Sequence, residues 1–144
     1  MNTNMFQIKI ALQGKGIKPT YQRMLILDYL VGNTKHPTAE AIYRELMQNV
    51  PTISKTTVYN TLNLLVEKGM LVALTITGSE IRYEFKKAKH CHFYCTRCGG
   101  IFDLNLQCPV LSSEQSEIEG HVVQELHGYL KGYCSSCRDL KQNN

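Results

Sequence analysis

Two cysteine pairs of identical spacing constrain this chain more than any other feature of its sequence. Cys95 and Cys98 form one CxxC pair, Cys134 and Cys137 form another, and 35 residues lie between the pairs. Two intervening residues let both thiolates of a tight turn face one metal ion, so two such turns offer four sulfur ligands. Zn²⁺ favours this tetrahedral set, which leaves no position open for water. The spacing therefore predicts a structural zinc site with one Zn²⁺ per subunit.

A redox-active CxxC is the competing interpretation of these cysteines. A redox site needs only one pair, however, and gives no reason for a matching second pair downstream. The first residues, MNTNMFQIKIALQGKG, lack the apolar run of a secretory signal, and no stretch approaches the roughly 20 apolar residues of a membrane span. We therefore expect a cytoplasmic protein without membrane association, where cysteines are more often metal ligands than disulfides.

Charge and metal-ligating residues are distributed unequally along the chain. Residues 1–89 contain 12 Lys and Arg against 6 Asp and Glu, whereas residues 90–144 contain 4 against 6. All six cysteines and four of the five histidines lie in the second part. This shift predicts two small domains, residues 1–85 and 86–144. A basic first domain is typical of nucleic-acid binding, and a solvated surface rich in lysine is the alternative.

The first domain reads as a series of short capped helices. One helix is predicted over residues 5–13, before two glycines that favour a helix end. A second begins after the capping residue Thr20 and ends near Gly32, and a third lies between Thr38 and Pro51. The apolar spacing i, i+3, i+4, i+7 predicts that the third helix buries Tyr43, Leu46, Met47 and Val50.

A fourth helix, capped by Ser54, has one apolar and one polar face. Its apolar face is formed by Val58, Leu62, Leu65 and Val66. Hydroxyl and amide side chains on the other side suit contacts to base edges and phosphates, although such a face is often merely solvated. The residues on this side and at the start of the helix are Lys55, Thr56, Thr57, Tyr59, Asn60 and Asn63.

Two alternating segments follow the fourth helix. Residues 72–76 and 81–85 read as strands, and Thr77, Gly78 and Ser79 form the turn between them. Helices, a polar-faced helix and a β-hairpin in this order describe a winged helix-turn-helix domain. The fold class predicted for the whole chain is therefore α+β, a winged-helix domain followed by a small α/β domain with the four-cysteine site.

A second group of metal-ligating residue types surrounds the start of the second domain. His90 and His92 lie two residues apart, so an extended backbone would place both rings on one face. Glu84 precedes them, and Asp103 could come from the next strand. Imidazole and carboxylate donors suit Fe²⁺, Mn²⁺ or Zn²⁺. Taken alone, two histidines at this spacing are a weak signal, and surface histidines are the alternative.

Several stretches together resemble the ferric uptake regulator family of bacterial metal-dependent repressors. The resemblance extends over essentially the whole chain, and its combination of motifs is very specific. The matching stretches are residues 18–23 (KPTYQR), 36–43 (HPTAEAIY), 54–60 (SKTTVYN) and 82–85 (RYEF), the HCH motif that leads into the first CxxC, and the last CxxC.

The resemblance implies an N-terminal winged helix that binds a double-stranded DNA operator and a C-terminal domain that forms a homodimer. It also implies a regulatory site with one Fe²⁺ or Mn²⁺ per subunit, beside the structural zinc. The regulatory ligands would be His36, Glu84, His90, His92 and Asp103. The DNA-binding residues would be Lys18, Tyr21, Arg23, Lys55, Thr56, Thr57, Tyr59, Asn60 and Asn63.

Within the family, the chain is most similar to peroxide-sensing repressors. Asn60 after Tyr59 and the HPTA run at residues 36–39 favour that subgroup, in which oxidation of a ligand histidine, His36 or His90 here, releases DNA. Glu84 instead follows the iron-sensing pattern, so an iron sensor is the alternative and a zinc sensor a more distant one. Cys91 is either a thiolate ligand or a buried cysteine, and Cys108, His121 and His127 are left unassigned.

An enzyme, such as a zinc-dependent hydrolase that uses His90, His92 and Asp103, is the rival hypothesis from another class. The sequence lacks an HExxH helix, a deaminase motif, a nucleophile elbow and a glycine-rich phosphate loop. We therefore expect a regulator without catalytic residues or a small-molecule substrate. A zinc-ribbon interaction module is a third possibility, but it would leave the polar-faced helix without a role.

Overall fold

The structure, a computed structural model, describes residues 4–87, 90–105, 117–123 and 128–139. The chain forms two compact units, Met1–Lys86 and Lys87–Asn144. The first unit contains four α-helices and a β-hairpin, and the described part of the second contains short β-strands. Among the described residues, no helix combines the length and the apolar character needed to cross a bilayer.

The helices of the first unit begin where their capping residues predict. Thr20 Oγ1 accepts a hydrogen bond from the Arg23 backbone N–H, and Thr38 Oγ1 accepts one from Ala41. Ser54 accepts the equivalent bond from Thr57 at 3.1 Å. Each hydroxyl satisfies one backbone donor that the first turn leaves without a partner. The helices are α1 (Met5–Gly14), α2 (Tyr21–Leu30), α3 (Ala39–Met47) and α4 (Lys55–Glu67).

The core of the first unit lies between these helices and the base of the hairpin. Val58, Leu62 and Leu65 of α4 are completely buried, which confirms the predicted apolar face. The predicted stripe of α3 is partly wrong, because Met47 is 39% exposed. The helix instead buries Ala39, Ile42 and Leu46. The observed set is spaced i, i+3, i+7, which also describes one helical face, and α3 ends at Met47, so Val50 of the predicted set lies beyond the helix.

Two antiparallel strands, β1 (Leu71–Leu74) and β2 (Arg82–Phe85), form the predicted hairpin. Both strands are shorter than predicted, because the turn begins at residue 75 and includes Gly78 at φ +72°. The Thr77 hydroxyl bonds to the Glu80 carbonyl at 3.0 Å and stabilises this turn. Helices α1–α4 and this hairpin together confirm the winged helix-turn-helix domain.

The described residues of the second unit include a three-stranded sheet. Its central strand is β3 (Cys91–Cys95), which pairs antiparallel with β4 (Ile101–Leu104). On its other side β3 pairs in parallel with β7 (Leu130–Gly132), and a separate hairpin consists of β5 (Glu117–Ile118) and β6 (His121–Val122). The α+β class is confirmed by the helical first unit and these sheets, while residues 106–116 and 124–127 of this unit lie outside the described ranges.

Candidate metal centres and nucleic-acid interface

The two CxxC pairs converge on one point of the second unit. Their four Sγ atoms all lie within 4.8 Å of one another, and the sulfurs of Cys98 and Cys134 are 3.9 Å apart. Four sulfurs at about 2.3 Å from a zinc ion form a tetrahedron with edges of about 3.8 Å. None of the four cysteines forms a disulfide, and Cys95, Cys134 and Cys137 are buried. This arrangement fits a closed structural Zn²⁺ site.

Backbone hydrogen bonds favour ionisation of one thiol in this cluster. The pKa of Cys95 is lowered from 9.0 to about 6, chiefly because the Cys98 backbone N–H bonds to its sulfur, and the Cys134 backbone adds a bond at 3.3 Å. The pKa of Cys137 is raised to about 12, mainly by a hydrogen bond with the Cys134 side chain. One thiolate is therefore available near neutral pH, and a binding metal ion must displace the remaining protons.

His36 and Glu84 form a buried pair in the first unit. The His36 Nε2 and Glu84 Oε2 atoms are 3.1 Å apart, and the two residues are 0% and 4% exposed. His36 lies before α3, whereas Glu84 lies in β2. A buried carboxylate and imidazole are stable only when they are paired or bound to a metal. The pair offers one nitrogen and one oxygen donor whose atoms lie 3.1 Å apart.

Strand β2 also holds the backbone around His36. His36 has φ +50°, in the left-handed region that disfavours residues other than glycine. Arg82 Nη1 donates to the His36 carbonyl at 3.2 Å, and the Tyr83 N–H donates to the Pro37 carbonyl at 3.0 Å. Thr38 and Arg82 form a β-bridge beside these bonds. One strand therefore carries Glu84 and also fixes the turn that presents His36.

His90, His92 and Asp103 form a three-residue cluster in the second unit. Asp103 lies on β4 directly opposite His92 of β3. The two Nε2 atoms of the histidines are 2.9 Å apart, and Asp103 Oδ1 lies 3.3 Å from the first and 3.4 Å from the second. Ligand atoms at right angles and about 2.1 Å from a metal ion are about 3.0 Å apart. The three donor atoms therefore have the separations that one bound ion requires.

Lys87 is a further member of this cluster that the sequence did not reveal. Its Nζ atom contacts Oδ2 of Asp103, the oxygen that does not face the histidines. The side chains of Lys87 and Asp103 are 46% and 22% exposed. Lys87 belongs to the basic stretch of residues 86–89, and nothing in that stretch indicates a contact with a carboxylate of strand β4.

The outer face of α4 has the exposure that the DNA hypothesis requires. Thr56, Asn60 and Asn63 are exposed, and Tyr59 is 45% exposed. Thr57 is half-buried, and its hydroxyl accepts a hydrogen bond from the Ser54 hydroxyl at 2.9 Å.

Two of the three cationic residues predicted to bind DNA already have partners within the first unit. Lys55 Nζ lies 3.1 Å from Glu40 and over the Tyr43 ring at 5.4 Å. The pKa of Glu40 is lowered, chiefly by its hydrogen bond with Lys55. Of the residues near α2, Lys18 and Tyr21 are exposed, while Arg23 bonds to the Lys18 carbonyl at 3.0 Å.

Of the cysteines and histidines without an assigned role, Cys91 and His121 lie within the described residues. Cys91 is completely buried at the start of β3, on the face of the strand opposite to His92. Its sulfur is engaged in a disulfide, so the interpretation of Cys91 as a buried residue fits the structure better than a thiolate ligand role. His121 lies exposed in the β5–β6 hairpin. Cys108 and His127 lie outside the described residues.

Comparison with known proteins identifies the family. A model of the ferric uptake regulator family matches residues 14–129. The peroxide-responsive repressor PerR of Staphylococcus aureus is 35% identical over 133 residues, which are 90% of this chain and 88% of that protein. Among solved structures, PerR from Streptococcus pyogenes is 32% identical with a TM-score of 0.52, over 93% of this chain and 92% of that one. The ferric uptake regulator of Francisella tularensis with iron is 26% identical with a TM-score of 0.70, over 85% and 96%.

The match covers most of the chain and includes both units. It confirms the resemblance seen in the sequence, and it confirms the expectation of a regulator rather than an enzyme. The hydrolase hypothesis is therefore wrong. The chain belongs to the ferric uptake regulator family of metal-dependent transcriptional regulators.

Proposed function

We propose that this protein is a homodimeric repressor whose binding to a double-stranded DNA operator requires Fe²⁺ or Mn²⁺. One such ion per subunit would be held by His36, Glu84, His90, His92 and Asp103, and one Zn²⁺ by the four cysteines. Members of the family are dimeric DNA-binding regulators, which supports this assignment. The observation that carries it is that each unit by itself presents an incomplete set of metal donors, an imidazole and a carboxylate in the first and two imidazoles and a carboxylate in the second.

Neither donor set alone fills all the coordination positions of Fe²⁺ or Mn²⁺. The first unit supplies two donors, and the second supplies two imidazoles and a carboxylate. Two histidines with one carboxylate are the donor set typical of non-haem Fe²⁺, and that set leaves further positions open. Glu84 and His90 are six residues apart, so their backbones are never separated by more than about 21 Å. A tether this short is compatible with a shared ion.

An ion shared by both sets would couple metal binding to DNA recognition. Ligands from both units reduce the range of orientations that the winged helix can adopt, so metal binding selects one arrangement. In a dimer, two α4 helices must enter successive major grooves about 34 Å apart. The donors of the two units would thus set the spacing that the operator requires.

Peroxide is the proposed physiological signal. A bound Fe²⁺ would supply the redox chemistry that activates hydrogen peroxide, without being consumed in the net reaction. In that net reaction one peroxide oxygen would be inserted into a ring C–H bond of His36 or His90, the ring would give two electrons to the peroxide, and the second oxygen would leave as water. Either oxidised ring is a poorer ligand, so one donor set is lost and the orientation of the winged helix is released. Peroxide-responsive relatives of 35% identity over most of the chain support this signal.

Iron sensing is the second candidate, and Glu84 is the residue that favours it. The Glu84 carboxylate is buried and already faces His36 Nε2 at 3.1 Å. The additional methylene of Glu relative to Asp lets both carboxylate oxygens reach one ion. Two oxygens on the metal would fill the position that peroxide needs and slow the oxidation of the histidines. A zinc sensor is the remaining alternative.

The deciding experiment compares operator affinity before and after peroxide. The anaerobic, Fe²⁺-loaded protein is mixed with a small molar excess of hydrogen peroxide, and the peptide masses are then read. Lost DNA binding with a gain of one oxygen on the peptide of His36 or His90 supports the peroxide sensor. Binding that survives peroxide but is lost with an iron chelator supports the iron sensor. The Mn²⁺-loaded protein is the matched control and should keep both its DNA affinity and its peptide masses.

A further inference from the structure

We infer that Lys87 sets the affinity of the regulatory site by competing with the metal ion for Asp103. This inference rests on the proposed function, because it assumes that Asp103 is a metal ligand. It adds a residue that lies outside the ligand set and contributes no donor atom to the metal. In this role Lys87 keeps divalent ions weakly bound, so that the site exchanges with the surrounding metal pool.

The contacts of Asp103 are divided between its two carboxylate oxygens. Oδ1 faces the Nε2 atoms of His90 and His92, while Oδ2 contacts the Lys87 ammonium. Lys87 is the first residue of the second unit, so this contact forms within one compact unit. The same carboxylate therefore serves the two imidazoles and a permanent cation of the chain.

The charge of Lys87 opposes metal binding in two ways. An ion bound at the Nε2 atoms and Oδ1 brings two positive charges within a few ångströms of an ammonium group that contacts the same carboxylate. Like charges at this distance repel, and the ammonium also withdraws part of the negative charge that the metal would use. Lys87 is nearly half exposed, which screens the repulsion and limits its magnitude. The expected effect is therefore moderate rather than decisive.

A titration of the zinc-loaded full-length protein with Mn²⁺ tests the inference. Free Mn²⁺ is measured by electron paramagnetic resonance for wild type, Lys87→Met, Lys87→Arg and Lys86→Met. We expect Lys87→Met to bind Mn²⁺ about tenfold more tightly, which corresponds to about 1.4 kcal/mol. Lys87→Arg keeps the charge and should stay within about twofold of wild type. Lys86 is also exposed, and the Lys86→Met substitution removes the same charge from the adjacent position. Lys86→Met is therefore the matched control.

The outcomes separate this inference from the proposed function. A Lys87→Met protein that binds Mn²⁺ no more tightly than wild type overturns the competition, and so does an equal gain for Lys86→Met. The gain of Lys87→Met should also shrink as salt is raised from about 0.05 to 0.5 M, because the Debye length shortens. If neither the wild type nor Lys87→Met binds Mn²⁺ beyond the zinc, the regulatory Mn²⁺ site itself is overturned. A gain for Lys87→Met that exceeds the gain for Lys86→Met supports the competition.

Discussion

Replacing Arg82 with Met should destabilise the first unit by about 2 kcal/mol. The change removes the hydrogen bond from Nη1 to the His36 carbonyl, which is 3.2 Å long and partly buried. A hydrogen bond from a charged donor contributes about 1.5–3 kcal/mol. The ion pair of Arg82 with Glu80 at 2.8 Å is lost as well, but Glu80 is 49% exposed and the pair adds at most about 1 kcal/mol. Relaxation of the His36 turn from φ +50° offsets part of this loss.

The assay is urea unfolding of the zinc-loaded protein without a second metal, monitored by circular dichroism. Glu80→Gln is the control, because it breaks the exposed ion pair but keeps the bond to His36, and we expect a loss below about 0.5 kcal/mol. In a parallel titration, Arg82→Met should bind Mn²⁺ more weakly than Glu80→Gln, since β2 no longer holds the turn that presents His36. Equal free energies of unfolding for the two variants would refute this account of Arg82.

Three further substitutions test other parts of the structure. His36→Ala and His36→Gly should both abolish metal-activated DNA binding, measured by fluorescence anisotropy. The free energy of unfolding of the glycine variant should exceed that of the alanine variant by about 1 kcal/mol, because φ +50° suits glycine. Cys95→Ser should release zinc, measured by elemental analysis, and should weaken folding and dimerisation. A stable dimer without zinc would contradict the structural role of the cysteines. Asn60→Ala should cost about 1–3 kcal/mol on the preferred operator and less on operators altered at one base pair.

Local features of the sequence were sufficient to predict the elements of the first unit. Thr20, Thr38 and Ser54 act within three residues of themselves, so each cap could be recognised without knowledge of the fold. The CxxC pairs were equally clear, because each pair is a local turn with two ligands. The predicted turn is shorter than the observed one. Ile76 and Ile81, at its two ends, continue the apolar alternation of the flanking strands and so read as strand residues.

Contacts between distant residues could not be predicted in the same way. The bond from Arg82 to the His36 carbonyl spans 46 residues, and the pair of Lys55 with Glu40 spans 15. Lysine and arginine side chains at protein surfaces are normally solvated. The residue type at positions 55 and 82 therefore does not indicate a hydrogen-bond partner elsewhere in the chain. The pairing of Lys87 with Asp103 depends on strand register, which follows only from the folded sheet. His36 became a candidate through the family resemblance alone.

Strand β3 makes one metal centre depend on the other. It carries His92 near its start and Cys95 at its end, about 10 Å apart at 3.3 Å per residue. A slip of one residue against β4 would bring Cys91 or Phe93 opposite Asp103 and turn His92 to the other face. A zinc ion bound by the four cysteines would hold the end of β3 and add to the strand pairing that opposes this slip. Loss of zinc would then loosen the alignment of His92 with Asp103, so the second centre would lose metal affinity together with the first.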